Sequence, residues 1–283
     1  MNYRDLYLHG QKVLSDAGLA EADLDARLLL EWICHTTRHD LFVHGDREME
    51  EEAVIRYQTA ITQRAARIPL QHITGLQEFM GLEFFTGPQV LTPRQDTEIL
   101  VETAMKHLHD GMRILDMCTG SGCILLSLLN FSNNCSGVGV DLSSEALTLA
   151  AKNSEKLELN AEWLKSDLFS ELEVEEKFDL LVSNPPYIRT EEINSLMPEV
   201  KDHEPLMALD GKEDGLYFYR EIIRQAPPYL NRGAWILFEI GHDQGEEVSR
   251  LMQEQGLWEI STIRDYAGCD RVVAGVFLEE KNV

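Results

Sequence analysis

Residues 183–187, Ser-Asn-Pro-Pro-Tyr, set a carboxamide, two rigid rings and a phenol in consecutive positions. They follow Phe178-Asp179-Leu180-Leu181-Val182, an apolar run that reads as a buried parallel strand. Proline brings no N–H to a ladder and restricts the residue before it, so the strand ends at Asn184 with carbonyls released from pairing. The Asn184 side-chain oxygen beside the Pro185 carbonyl makes two acceptors facing one way. That pair matches the two donors of a planar –NH2 group, and Tyr187 offers a flat surface to cover it. In an open α/β sheet, ligands bind beyond the carboxyl ends of the strands. A bare loop could begin the same way; a glycine turn upstream argues for a site instead.

That turn is Asp116-Met117-Cys118-Thr119-Gly120-Ser121-Gly122, between a strand at 114–117 and a helix through Ile124, Leu125, Leu126, Leu128 and Leu129. Two glycines let the backbone approach a ligand closely and free N–H groups for it. Leu125 stands where the dinucleotide fingerprint has its third glycine, which argues against NAD or FAD. An acid at the strand end suits a nucleoside with a cationic amino-acid tail, as in S-adenosylmethionine. Asp141 ends the next strand, 137–140, at the place where a carboxylate accepts both ribose hydroxyls. Asp167-Leu168 ends a third strand, 161–166, in position to flank an adenine ring. The force of these features lies in their order at successive strand ends.

The elements that must position them follow from periodicity. Leu6, Val13 and Leu14, then residues 22–34, then 50–67 recur at helical spacing, with no strand alternation, which predicts a small helical bundle up to about residue 70. Residues 69–93 are punctuated by Gly75, Gly81, Gly87 and Pro88 among Phe79, Met80, Leu82, Phe84 and Phe85, which predicts short strands or a hairpin joining two domains. A helix is expected over 97–109, and another to about residue 157, capped by Ser143. Further strands are expected at 178–183, 235–240, 258–264 and 271–278, the last two joined by a short turn. Strands alternating with helices imply a parallel sheet, and the final pair an antiparallel end.

Composition bounds the function. Lys+Arg of 25 against Asp+Glu of 49 gives a net charge of −24, which repels a polyphosphate and favours a basic partner. No apolar run nears the roughly 18 residues of a membrane span, and the first residues lack a signal-peptide pattern, so a cytoplasmic location is expected. Cys34, Cys118, Cys123, Cys135 and Cys269 are odd in number and form no C-x-x-C, so free thiols are expected and neither zinc nor a catalytic thiol. His9, His35, His39 and His44 read as surface or capping residues. No metal is expected.

With the glycine turn and Asn184-Pro185-Pro186-Tyr187 in place, the chain resembles the class I S-adenosylmethionine-dependent methyltransferases that modify planar amino groups. Pro69-Leu-Gln-His-Ile-Thr-Gly75, Phe79-Met-Gly-Leu82, Leu91-Thr-Pro-Arg-Gln-Asp-Thr-Glu98, Glu204-Pro-Leu-Met-Ala-Leu-Asp-Gly211 and Asp265-Tyr-Ala-Gly-Cys-Asp-Arg271 are similar to the HemK/PrmC family. These are glutamine methyltransferases of peptide-chain release factors, and the likeness runs over almost the whole chain. The resemblance implies an α/β fold: a Rossmann-like, seven-stranded, mostly parallel sheet with a small N-terminal bundle of five helices. It implies a substrate-recognising bundle at 1–72, a β-hairpin linker at 73–92 and a catalytic domain at 93–283. By the same likeness, Cys118, Thr119, Gly120, Ser121, Gly122, Asp141, Leu168 and Asn184 contact S-adenosylmethionine. Asn184, Pro185, Pro186 and Tyr187 hold the substrate glutamine, that of the Gly-Gly-Gln motif in the basic domain of a release factor. Its amide nitrogen receives the methyl group, modulating translation termination, and a monomer is expected.

Four positions depart from the family pattern: Gln95 where a proline is expected, Cys118 where glycine is frequent, Leu168 where an aromatic is common, and Lys212 in place of the second glycine of a pair. Cys118-Thr-Gly-Ser-Gly-Cys123 also resembles sister enzymes that methylate a glutamine of a large-subunit ribosomal protein. Two other readings compete. Adenine or cytosine amino groups are planar –NH2 donors too, but base-modifying enzymes must grip phosphates, against the charge found here. A binding module on a decayed catalytic fold is the other, and the joint presence of Asp116, Gly120, Gly122, Asp141 and Asn184 argues against decay. The long connection 188–215 carries Glu191, Glu192, Glu199, Asp202, Glu204, Asp210, Glu213 and Asp214 against Arg189, Lys201 and Lys212, which suits a lid facing a cationic protein.

Overall fold

The computed structural model describes residues 1–278. Two compact units are present: Met1–Leu76 with Met197–His203, and Gln77–Leu196 with Glu204–Val283. Residues 279–283, the end of the expected catalytic domain, lie outside the described residues.

The first unit is helical: α1 (Tyr3–Asp16), α2 (Ala22–Cys34), α3 (Arg38–Val43), α4 (Glu51–Ala65) and α5 (Leu70–Thr74). Periodicity marks α1, α2 and α4, whose apolar faces supply Leu6, Leu14, Leu29, Leu30, Tyr57 and Ile61 to one core. The short α3 and α5 carry no full apolar repeat; α3 is instead started by a capping box between Thr37 and Asp40. Inside the core the Tyr57 hydroxyl donates to the Ala26 carbonyl at 3.1 Å. Arg64 pairs with Asp25 at 2.7 Å, and Glu199 accepts from both Arg64 and Arg67, which ties segment Met197–His203 into this unit. His35 and His44 are C-caps, the former left-handed at φ 51, while His9 and His39 are exposed. No metal-holding group of His, Cys, Asp and Glu occurs among the described residues.

The second unit opens with a hairpin, β1 (Leu76–Phe79) and β2 (Leu82–Phe85), in the segment expected to hold short strands. Then follow α6 (Gln95–Met105), β3 (Arg113–Met117), α7 (Cys123–Asn130), β4 (Ser136–Asp141), α8 (Ser144–Lys156), β5 (Glu162–Lys165) and β6 (Phe178–Ser183). After the short α9 (Pro198–Lys201), which belongs to the first unit, come α10 (Tyr217–Gln225), β7 (Leu230–Glu239), α11 (Gly245–Glu254), β8 (Trp258–Arg264) and β9 (Asp270–Val276). Neither α10 nor α11 was expected from the sequence, and α6 stops four residues short of the expected 109.

The seven strands lie in the order β5-β4-β3-β6-β7-β9-β8. The first five pair in parallel, and β9 runs antiparallel to both β7 and β8, as the short turn at 265–268 implied. Side chains alternate between two cores, as a pleat buried on both faces requires. Leu115, Leu181, Ile236 and Val273 face one core with α10 and α11, while Ile114, Leu180, Leu237 and Val272 face the other with α6 and α7. Chain order reverses between β3 and β6, which makes their carboxyl ends the topological switch point. Among the described residues no helix is long and apolar enough to cross a membrane.

Candidate active site

At the switch point β3 ends on Met117 and the chain turns through three residues with positive φ: Cys118 (62°), Gly120 (56°) and Gly122 (78°). Gly122 caps α7, and a Cβ there would stand 2.7 Å from Trp163 and 3.2 Å from Ala150, so both torsion and packing require glycine. At Gly120 a Cβ would meet nothing within 4 Å; its backbone borders open space. Asp116, fully buried on β3, holds the turn from below, accepting from the Thr119 hydroxyl at 2.5 Å. Its Oδ1 is buried without a partner among the described residues, and burial drives its pKa from 3.8 up to about 7. Asn153 of α8 clamps the turn from the side, donating to the Ser121 and Phe85 carbonyls and accepting from the Phe85 N–H.

Asp141, at the end of β4, joins two segments of backbone. Its Oδ2 accepts from Gly120 N and its Oδ1 from Ser143 N, both at 2.9 Å. Burial raises its pKa and these bonds oppose the rise. Each carboxylate oxygen keeps a lone pair for a further donor. Beyond β5, Ser166, Asp167 and Leu168 follow, with Leu168 buried and left-handed at φ 51.

The strand β6 ends where Pro185 and Pro186 forbid further pairing. Ser183 donates to the Met117 carbonyl at 2.5 Å, locking the ends of β6 and β3 together. Asn184 is half-buried, and its Nδ2 lies 3.3 Å from Thr97 Oγ1 on α6. With the amino end taken, Oδ1 is the acceptor left for a ligand. The Tyr187 ring packs against the α10–α11 side of the sheet, and its hydroxyl donates to Glu239 Oε1 at 3.2 Å.

The connection after Tyr187 is built, not loose. Residues 190–195 and 206–208 form short 3-10 helices, Ile188 N donates to Leu209 O, and Gly211 N returns to Ile188 O. Glu204, buried, accepts from Arg94 Nη2 at 2.7 Å through both oxygens and from Thr92 N at 3.3 Å. Lys212 takes φ 72 although it is not glycine; Asp210 supports it, accepting from its N–H at 2.9 Å and its Nζ at 3.2 Å. Gln95 is the first residue of α6, where a proline's fixed torsion would be at home and a glutamine is tolerated.

These pieces enclose a cavity of about 220 Å³. Cys118, Thr119, Gly120, Ser121, Asp141, Leu168, Asn184 and Pro186 line it, together with Leu142, Asp167, Met207 and Phe218. Gly122, Pro185 and Tyr187 do not line it. Gly122 faces Trp163 instead of open space, and Tyr187 is turned away by its bond to Glu239, so the flat cover expected of its ring is not in the wall. Thr97, Asn153 and Glu239 were missed as site residues. Thr97 lay in a motif read for family likeness alone, while Asn153 and Glu239 carry no local pattern and reach the site only through tertiary contact.

This strand order, with a glycine turn and an acid at the ends of adjacent strands beside the switch point, defines a class I methyltransferase. Comparison with known proteins agrees. Residues 5–75 match the PrmC N-terminal domain and residues 93–199 the methyltransferase small domain. A release factor glutamine methyltransferase of Geobacter sulfurreducens is 40% identical over 93% of this chain and 92% of its own. One of Clostridium acetobutylicum is 38% identical over 98% of this chain and 99% of its own. A solved methyltransferase from Pyrococcus furiosus shares the fold, with a TM-score of 0.54 and 18% identity over 76% of this chain and 98% of that one. The chain belongs to the release factor glutamine methyltransferase family, as its motifs implied.

Proposed function

We propose that this protein transfers the methyl group of S-adenosylmethionine to the side-chain amide nitrogen of the glutamine in the Gly-Gly-Gln motif of peptide-chain release factors. The observation that carries this reading is the orientation of Asn184. Thr97 takes its Nδ2, so its Oδ1 is the acceptor for a planar amino group beside the cavity that Asn184 lines. The relatives' names support the release factor as substrate.

The residues of the cavity suit the cofactor. Gly120 borders open space at the head of the turn, Asp141 keeps acceptor capacity for a ribose diol, and Leu142 and Leu168 supply apolar surface for an adenine ring. Residues 118–122, Asp141, Leu168 and Asn184 would hold it. When bound, it supplies an electrophilic sulfonium methyl.

A glutamine amide nitrogen is a poor nucleophile because its lone pair is delocalised into the carbonyl, so alignment and charge stabilisation are what the protein must add. Asn184 Oδ1 and the Pro185 carbonyl each accept one amide hydrogen; among the described residues no backbone N–H takes up that carbonyl. Two acceptors fix the direction of the nitrogen and stabilise the positive charge that develops on it. No nucleophilic side chain and no general base is required by this scheme. Tyr187 anchors the segment through Glu239.

The net charge of −24 supports a basic protein domain over a nucleic acid as substrate. The helical unit, matched by the PrmC N-terminal domain, is assigned substrate recognition, and the enzyme acts as a cytoplasmic monomer. The test offers labelled methyl from S-adenosylmethionine to purified release factor, to a release factor with the Gly-Gly-Gln glutamine changed to Ala, to duplex DNA and to rRNA. Label on the unaltered factor alone is expected. Equal label on the altered factor, or label on nucleic acid, overturns the reading.

A further inference from the structure

Behind Asn184 three side chains form a chain with a direction. Asn184 Nδ2 lies 3.3 Å from Thr97 Oγ1, and the Thr97 hydroxyl lies close enough to the Glu239 carboxylate to favour its charged form, without a formed bond between them. Glu239 closes β7, next to β6 in the sheet, and is only 2% exposed. Its Oε1 accepts from the Tyr187 hydroxyl at 3.2 Å, while Oε2 is buried without a formed bond among the described residues and needs a donor. Burial raises its pKa; the Thr97 and Tyr187 hydroxyls and the positive charge of Arg271 on β9 favour the charged form, and Asp96 of α6 opposes it.

The polarity of the chain follows from counting protons. An ionised carboxylate only accepts, and a hydroxyl has one proton to give. A Thr97 proton turned toward Glu239 leaves Thr97 Oγ1 as an acceptor. Only the NH2 end of Asn184 satisfies that acceptor; the flipped carboxamide would set oxygen against oxygen. With that polarity, the orientation of the amide facing the cavity is set by a carboxylate that does not itself line the cavity.

We propose that Glu239 is a positioning residue for methyl transfer: through Thr97 it turns Asn184 with its oxygen toward the substrate, and through Tyr187 it pins the far end of the Asn-Pro-Pro-Tyr segment. This rests on the reading of Asn184 as acceptor of the glutamine amide. A glutamine at 239 reverses the relay, because its NH2 donates to Thr97 Oγ1 and frees the hydroxyl proton for Asn184 Oδ1. The NH2 of Asn184 then faces the substrate's own NH2, donor against donor.

The experiment compares wild type, Glu239→Gln, Thr97→Val and Thr97→Ser in steady-state methylation of a release factor, with S-adenosylmethionine affinity measured by calorimetry. Glu239→Gln and Thr97→Val are expected to lose about 10²-fold in kcat, as misplacement of a reacting group does, with a much smaller change in cofactor Kd because residues 118–122, Asp141 and Leu168 keep their places. Thr97→Ser, which keeps the hydroxyl, is expected to recover most of the kcat that Thr97→Val loses. Glu239→Gln with wild-type kcat overturns the proposal. Equal activity of the Val and Ser variants does so too, as does a loss of kcat matched by a loss of cofactor affinity. A wild type that leaves the release factor unlabelled brings down the functional reading and this inference with it; an active wild type equalled by Glu239→Gln brings down the inference alone.

Discussion

A carboxamide offers an oxygen at one end and two hydrogens at the other, in nearly the same shape, so its neighbours choose which end a ligand meets. At Asn184 the choice is made by Thr97, and Asn-Pro-Pro-Tyr alone does not reveal it. Asp116 is a second residue whose surroundings decide its chemistry. It is fully buried, one oxygen is held by Thr119, and its pKa rises from 3.8 to about 7 because burial disfavours the charge. An acid raised on folding binds more protons folded than unfolded, so its contribution to stability is present at low pH. It is lost as pH climbs from about 3.8 through about 7. Asp116→Asn, neutral and of the same shape, is expected to flatten that slope. Thermal unfolding followed across this pH range checks it; an unfolding midpoint that falls as steeply with pH in the variant as in the wild type contradicts it.

Among the elements, the turn between β3 and α7 carries the most constraint. Gly122 and Gly120 both have positive φ, yet a Cβ would strike Trp163 at the first and open space at the second. Gly122→Ala is therefore expected to cost about 2–4 kcal/mol, from torsion plus overpacking. Gly120→Ala carries the torsional part alone, about 1–2 kcal/mol, but places a methyl at the cavity and weakens cofactor binding. Denaturant midpoints and cofactor calorimetry separate the two; equal stability losses would refute the distinction. The same turn shows what the sequence could convey. The strands leading to Asp116, Asp141 and Asn184 were legible because buried parallel strands are continuous apolar runs, and a polar residue at or beside each end interrupts the run. Helices α10 and α11 were legible too, though no helix was expected there: Tyr219, Ile222 and Ile223, and Val248, Leu251 and Met252, stand at i, i+3 and i+4, the spacing of one apolar helix face. Thr97 and Glu239 stayed hidden because their partners lie 87 and 52 residues away in the chain. The left-handed Cys118 and Lys212 explain why glycine was expected there, and the Asp210 bonds show how Lys212 manages without it.

At the scale of the molecule, a doubly covered sheet puts the glycine turn and the Asn184 acceptor on opposite sides of one reversal in strand order. A donor group and an acceptor amide can thus be held by different halves of the sheet and meet at the crevice between them. The surplus of acid, 49 residues against 25 basic, supports the proposal of a basic protein as partner. The most direct measurement maps methylation by peptide mass spectrometry after a single turnover on release factor, with wild type and Asn184→Ala. One methyl on the Gly-Gly-Gln glutamine is expected from the wild type. Asn184→Ala is expected to deliver it about 10²–10³-fold more slowly, as loss of one charge-stabilising partner does. A methyl on any other residue, or an Asn184→Ala rate equal to wild type, contradicts a planar amide held by Asn184.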